Sequence, residues 1–163
     1  MTSRITEQLR AVLVDDDIHS ARLLVRTLVR LGGPTLTWYG RAERGLRLLA
    51  NDFAGAASRP PAAIVVDLKG SSAATATFIR HLRERLPASV PIAALAAERD
   101  TSMHNAILAA GATAIFARGP DAAAYRREVA KLAAFLKARL GRQTQRRAAA
   151  KDDHGGDSEP YFI

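Results

Sequence analysis

Two apolar runs in this chain stop at acids. Residues 11–14 (Ala-Val-Leu-Val) run into Asp15, Asp16 and Asp17, and residues 63–66 (Ala-Ile-Val-Val) run into Asp67. Carboxylates gathered at one place repel one another. The repulsion is relieved by protonation or by a hard divalent cation, and Mg²⁺ prefers carboxylate and water oxygens. The plainer use of Asp15 to Asp17 is to cap the helix that follows, where acids are favoured. A second acid ending a second apolar run favours a shared acidic site, provided the two runs lie side by side.

The elements that would place them there follow from periodicity. After Asp17, Ala21, Leu24, Val25, Leu28 and Leu31 recur at helical spacing, with Arg22, Arg26 and Arg30 on another side; Gly32-Gly33-Pro34 ends that helix. Residues 35–39 read as a strand, 41–53 as a helix with Ala42, Leu46, Leu49 and Phe53 inward, and 54–61 as a loop. Residues 74–86 form a helix with Phe78, Ile79, Leu82 and Leu86 inward; 91–95 form a strand. Residues 100–110 form a helix with Met103 and Ile107 inward, stopped by Gly111, and 113–117 form the last strand. Asp121 caps a long helix with Tyr125, Val129, Leu132, Leu136 and Leu140 as its stripe. Five strand–helix units in alternation predict an α/β fold, a flavodoxin-like five-stranded parallel sheet of order 2-1-3-4-5 with helices on both faces. In that order the first and third strands are neighbours, and ligands bind at the carboxyl ends of the strands.

At 163 residues one domain is the default, and the chain is long enough to bury a core without staples. The absence of cysteine excludes disulfides, thiolate zinc sites and Cys nucleophiles. No apolar run approaches the roughly 20 residues of a membrane helix, and the opening MTSRITEQLR has no apolar signal-peptide core. The expected location is cytoplasmic, with no membrane contact. His19, His81, His104 and His154 lie far apart and read as surface residues. Ser71 and Ser72 lie near Asp67 outside any GxSxG elbow, and neither a GxGxxG nor a P-loop follows the first strand. Trp38 and Tyr39 read as edge packing. The reading is a signalling protein, not an enzyme.

The segment VLVDDDIHSARLLVRTLVRLG resembles the opening of a CheY-like response-regulator receiver domain, and the likeness runs over residues 11–140. Residues 1–10 are then an N-terminal extension and 141–163 a basic, mobile tail, helical in its first part. The resemblance implies that Asp15 and Asp16 hold Mg²⁺ together with Asp67 and the backbone carbonyl of Lys69. It also implies that Asp67 accepts a phosphoryl group from a histidine kinase or phosphotransfer protein, and that a downstream target protein reads the result. The helices and strand at the end of the domain would carry that partner contact.

Several positions depart from the family's pattern. Ala96 stands where a Thr or Ser hydroxyl would bond the phosphoryl group, and Ile115 replaces the aromatic switch residue. Arg118 replaces the Lys that ends the fifth strand; it keeps the charge but changes length and shape. Gly119 follows where the family has a proline in a cis bond, so the loop is expected to be rebuilt and Arg118 turned away from Asp67. Lys69 reads either as a solvated loop lysine or as an internal partner of the carboxylates, which would lessen the need for a metal. The resemblance is thus to an atypical or pseudo-receiver, the alternative being a phosphorylation-independent pseudo-receiver that acts as an adaptor or as a cyclic-dinucleotide effector through its Arg-rich C-terminal tail.

The net charge of +8 favours acidic partners. Arg139, Arg142, Arg146, Arg147 and Lys151 extend beyond the receiver, read either as the solvated end of a helix or as an anion site. Some CheY-like proteins bind cyclic di-GMP through arginine-rich tails, and this tail is loosely similar. Arginine suits the task because it stacks on bases and grips phosphate. DNA is disfavoured, since no helix-turn-helix follows and the tail carries Asp152, Asp153, Asp157 and Glu159. The tip Tyr161-Phe162-Ile163 is apolar, with no role that the sequence assigns.

Overall fold

The computed structural model describes residues 10–53, 60–70, 73–97 and 100–152, without the side chains of residues 48, 50–53, 147 and 151–152. Most of the N-terminal extension, Ser71, Ser72, His154, the apolar tip and the Phe53, Arg147 and Lys151 side chains therefore lie outside the described residues. The chain alternates β1 (Ala11–Asp15), α1 (Ile18–Arg30), β2 (Leu36–Tyr39), α2 (Ala42–Phe53), β3 (Ala63–Asp67), α3 (Ala74–Arg83), β4 (Ile92–Ala97), α4 (Thr101–Ala109), β5 (Ala114–Arg118) and α5 (Ala122–Asp152). All pairings are parallel, and the strand order is β2-β1-β3-β4-β5, as expected.

Successive strand residues point to opposite faces, which splits the core in two. Val12, Val14, Ile64, Val66, Ile92 and Ala94 pack with Leu49, Phe78, Ile79 and Ile107 of α2, α3 and α4. Ala11, Leu13, Ala63, Val65, Ala93 and Leu95 pack with Leu24, Leu28, Leu132 and Leu136 of α1 and α5. Burial on both faces explains why the central strands β1, β3 and β4 read as continuous apolar runs.

The same parity directs the acids. Asp15 and Asp67 continue the residues facing α1 and α5, and the register pairs Asp15 with Asp67 directly. Arg118 shares that side with Phe116, whereas Ala96 and Ile115 belong to the opposite core. Helix ends fit their residues. Asp17 caps α1 by accepting from the N–H groups of His19 and Ser20, and Asp121 accepts from Ala124 N–H at the start of α5. Gly32 stops α1 with φ of 73°, a left-handed conformation that favours glycine. Helix α5 continues past Leu140 to Asp152.

Candidate functional site

Asp15 and Asp67 are both buried, at 0% and 2% exposure, on adjacent strands at the carboxyl end of the sheet. Two carboxylates so placed need counter-charge, and the chain supplies it twice. The Lys69 ammonium bridges them, 2.9 Å from Asp15 Oδ1 and 3.0 Å from Asp67 Oδ2. Arg118 takes the other oxygen of Asp67, with Nε at 2.8 Å and Nη2 at 2.6 Å from Oδ1. The Ser20 hydroxyl lies 3.5 Å from Asp67 Oδ2, at hydrogen-bond distance. Lys69 is thus an internal partner of the carboxylates.

Arg118 does point at Asp67, which corrects the expectation drawn from Gly119. A Cβ on Gly119 would lie 2.5 Å from the Tyr125 backbone nitrogen and 2.6 Å from the Ala124 carbonyl carbon. Without one, the loop passes hard against the first turn of α5, and Arg118 keeps its direction.

The three consecutive acids have three different duties. Asp15 accepts from Lys69 and from Asp17 N–H at 2.8 Å, while its Oδ2 is buried without a hydrogen-bond partner among the described residues. Burial is the main effect pushing the Asp15 carboxyl above the usual range, with the Asp67 charge adding to it; the Asp17 N–H and the Lys69 ammonium oppose the shift. Asp16 turns toward the loop after β3 and accepts from the N–H groups of Lys69 (3.0 Å) and Gly70 (2.9 Å). Asp17 is the helix cap, and the N–H of Ser20 holds its carboxyl below the usual range.

The donor set, hard carboxylate oxygens with one buried and unpaired, is of the kind Mg²⁺ prefers. The placement is not. Lys69 already stands between Asp15 and Asp67, Asp16 is committed to backbone N–H groups, and no three acidic or histidine side chains among the described residues converge as ligands. As arranged, these residues do not fit a divalent cation.

Ala96 is 4% exposed and brings no hydroxyl to the site. A cavity of about 220 Å³ opens beside it, lined by Leu68, Lys69, Met103, Ile107 and Arg118 among others. Half-buried Ile115 packs against the α2–α4 core, without an aromatic ring or hydroxyl.

Several contributors were not singled out from the sequence. Ser20 sits in the first turn of α1, and its spacing from Asp17 was the only signal. Trp38 is more than edge packing, because its indole N–H donates to the Asp15 carbonyl at 2.9 Å. Thr75 fastens the loop after Asp67 through a hydrogen bond from Leu68 N–H at 3.2 Å. Tyr125, expected as a core residue, has its phenol pushed up to about 12 by burial first, then by the charges of Asp67 and Asp15.

The tail arginines stand elsewhere. Arg139 lies over the Phe135 ring at 5.1 Å, and Arg142 and Arg146 are exposed on the far part of α5. No helix of the described residues is long and apolar enough to cross a membrane.

Solved structures place this architecture. The response-regulator receiver domain from Rhodospirillum rubrum aligns with a TM-score of 0.65 at 18% identity, over 79% of this chain and 94% of that one. The signal receiver domain of an HD domain-containing protein from Pseudomonas fluorescens Pf-5 aligns at 0.61 and 18% identity, over 90% and 97%. The response regulator RPA3017 in red light signalling of R. palustris aligns at 0.56 and 21% identity, over 76% and 91%. No protein-family model matches the chain, and no curated protein matches it in sequence. The chain has the CheY-like receiver fold.

Proposed function

We propose that residues 11–140 are a receiver module that signals by protein–protein contact, with Asp67 as a phosphoacceptor that Lys69 holds closed. Support comes from one arrangement: Asp67 ends β3 beside Asp15, with one oxygen on Lys69 and the other on Arg118. A carboxylate paired on both oxygens is a poor nucleophile. Lys69 is a flexible side chain, 29% exposed, on the loop after β3, so its ammonium can leave without disturbing the sheet. Lys69 and a divalent cation would compete for the same two carboxylates, which fits a resting state that is stable without metal. In phosphoryl transfer the P–N bond of a phosphohistidine donor would break as a P–O bond forms on Asp67. Arg118 is the fixed cation on the side where charge would develop.

One observation favours the adaptor reading. Asp67 already has two cations, and neither Ala96 nor Ile115 offers a hydroxyl to register a phosphoryl group. The two readings separate on incubation of the chain and of Lys69→Ala with acetyl phosphate, followed by mass spectrometry. Phosphoacceptor function predicts a phosphoryl adduct at Asp67 that forms faster in Lys69→Ala and is absent from Asp67→Ala. No adduct in either protein would reject it in favour of the adaptor.

A further inference from the structure

Helix α1 and the edge strand β2 leave a groove of about 460 Å³ between them. Buried Ala21 and Leu36 form its floor; half-buried Val25 and Trp38, 38% exposed, give it apolar surface, and exposed Arg22 and Arg26 form its rim. No acid among the described residues lines it, and neither arginine makes an ion pair with a described residue. The Trp38 ring is held in place. Its indole N–H donates to the Asp15 carbonyl, and Gly40 leaves room beside it, since a Cβ there would lie 3.0 Å from the ring. A fixed, exposed aromatic ring beside two cations without acids suits an acidic segment with an apolar end.

The chain carries such a segment. Residues 157–163 read Asp-Ser-Glu-Pro-Tyr-Phe-Ile, two acids followed by an apolar tip. The spacing agrees. Arg22 and Arg26 stand about 6 Å apart along one helical face. In an extended chain Asp157 and Glu159 would stand about 6.6 Å apart on one side, with Tyr161 and Ile163 next in line. The reach agrees as well. The Gln143 amide donates to the Ala62 carbonyl at 3.1 Å, which fixes α5 at the amino end of the strands. It also closes a cleft between Arg139, Arg142 and Arg146 and the residues Pro60, Pro61 and Pro91. From Ala62 the groove begins two strands away at Leu36, about 10 Å, and the last turns of α5 add about 14 Å. Residues 153–163 span about 36 Å when extended, and α1 and α5 pack on the same face of the sheet. The arginines of the cleft could serve the acids too, but Pro61 and Pro91 are buried and leave an apolar tip little to cover.

We infer that residues 157–163 seat in the α1–β2 groove of their own chain. The carboxylates of Asp157 and Glu159 lie on Arg22 and Arg26, and the apolar tip lies against Trp38 and Val25. The contact covers one side of α1 and the indole that bonds Asp15, so a partner that needs this face must first displace the tail. It uses neither Asp67 nor Lys69 and stands or falls separately from the phosphoacceptor reading.

The test is the amide and indole NMR spectrum of the full chain and of Tyr161→Ala/Phe162→Ala/Ile163→Ala, followed by titration of each with a peptide of residues 157–163. The chain has a single tryptophan, so the indole signal belongs to Trp38. The tail variant is expected to shift that signal and the amides of Val25 and Arg26, by amounts independent of protein concentration. The peptide should bind the variant and restore the parent's shifts. It should bind the parent about tenfold more weakly, because a tethered tail competes at an effective concentration of roughly millimolar order. Adding Arg22→Ala/Arg26→Ala to the variant should weaken the peptide about fivefold, the worth of two exposed ion pairs. Identical spectra for the parent and the tail variant, equal peptide affinity for both, or an affinity unmoved by loss of the two arginines would overturn the assignment. Shifts that grow with protein concentration would overturn it in favour of a second copy's tail.

Discussion

At the carboxyl end of the sheet, Lys69 and Arg118 are spent on two buried carboxylates; at the amino end, Arg139, Arg142 and Arg146 lie beside prolines, with no acid among the described residues that line the cleft. The same type of side chain thus stands in opposite situations. Near Asp67 the cations offset charges that the strand register forces together, and they belong to the fold as much as to any function. Around the cleft the cations have no such duty. Positive charge held together without a structural partner is available to a ligand, whereas positive charge inside a neutralising pair must first be released.

The largest expected effect follows from that contrast. Lys69→Ala/Arg118→Ala leaves Asp15 and Asp67 buried without counter-charge. Breaking buried pairs costs about 3–5 kcal/mol, and the partial exposure of both cations places the loss near the lower figure. Arg142→Ala/Arg146→Ala, two exposed sites with no ion pair among the described residues, should stay within about 0.5 kcal/mol of the parent. Urea unfolding of both variants checks the comparison directly. Equal losses would mean that the two ends do not differ in the way described.

A smaller effect reports on the field of the carboxylates. The Tyr125 phenol is held up at about 12, by burial first and then by the negative charge of Asp67. Its raised value means that the neutral phenol is favoured in the fold, so this contribution is intact below 10 and is lost as pH rises toward 12. Asp67→Asn removes the carboxylate charge with the larger effect and should lower the titration midpoint, leaving the burial effect in place. Ultraviolet titration of the tyrosinate band measures the shift. An unchanged midpoint would show that the Asp67 charge is already cancelled at Tyr125 by Lys69 and Arg118, which would sharpen the neutralisation account.

Much of this was legible in the residues. Alternating apolar runs and helical stripes were enough for the sheet order, because strands buried on both faces leave no polar alternation to confuse with another fold. Asp15 and Asp67 were placed side by side by that order alone. The duties within Asp15-Asp16-Asp17 were not legible, since capping, loop fastening and charge pairing all select the same residue type. Gly119 misled for a related reason. Read as the loss of a proline, it suggested a rebuilt loop; in the fold it is the residue that lets the backbone pass against Ala124 and Tyr125. Close approach of main chain to main chain has no periodicity and leaves no pattern to read. The extension beyond Leu140 was legible as basic and as helical at its start, but its docking through Gln143 to Ala62 joins residues 81 positions apart and was not.

The central claim is that the chain's own cations occupy the carboxylate cluster. Its most direct test is the Mg²⁺ affinity of the parent and of Lys69→Ala, read from the amide resonances of Asp15, Asp16, Asp67 and Lys69. The account predicts weak binding by the parent and a clear gain, about tenfold or more, when the competing ammonium is removed. Tight binding by the parent, with no gain in Lys69→Ala, would contradict it.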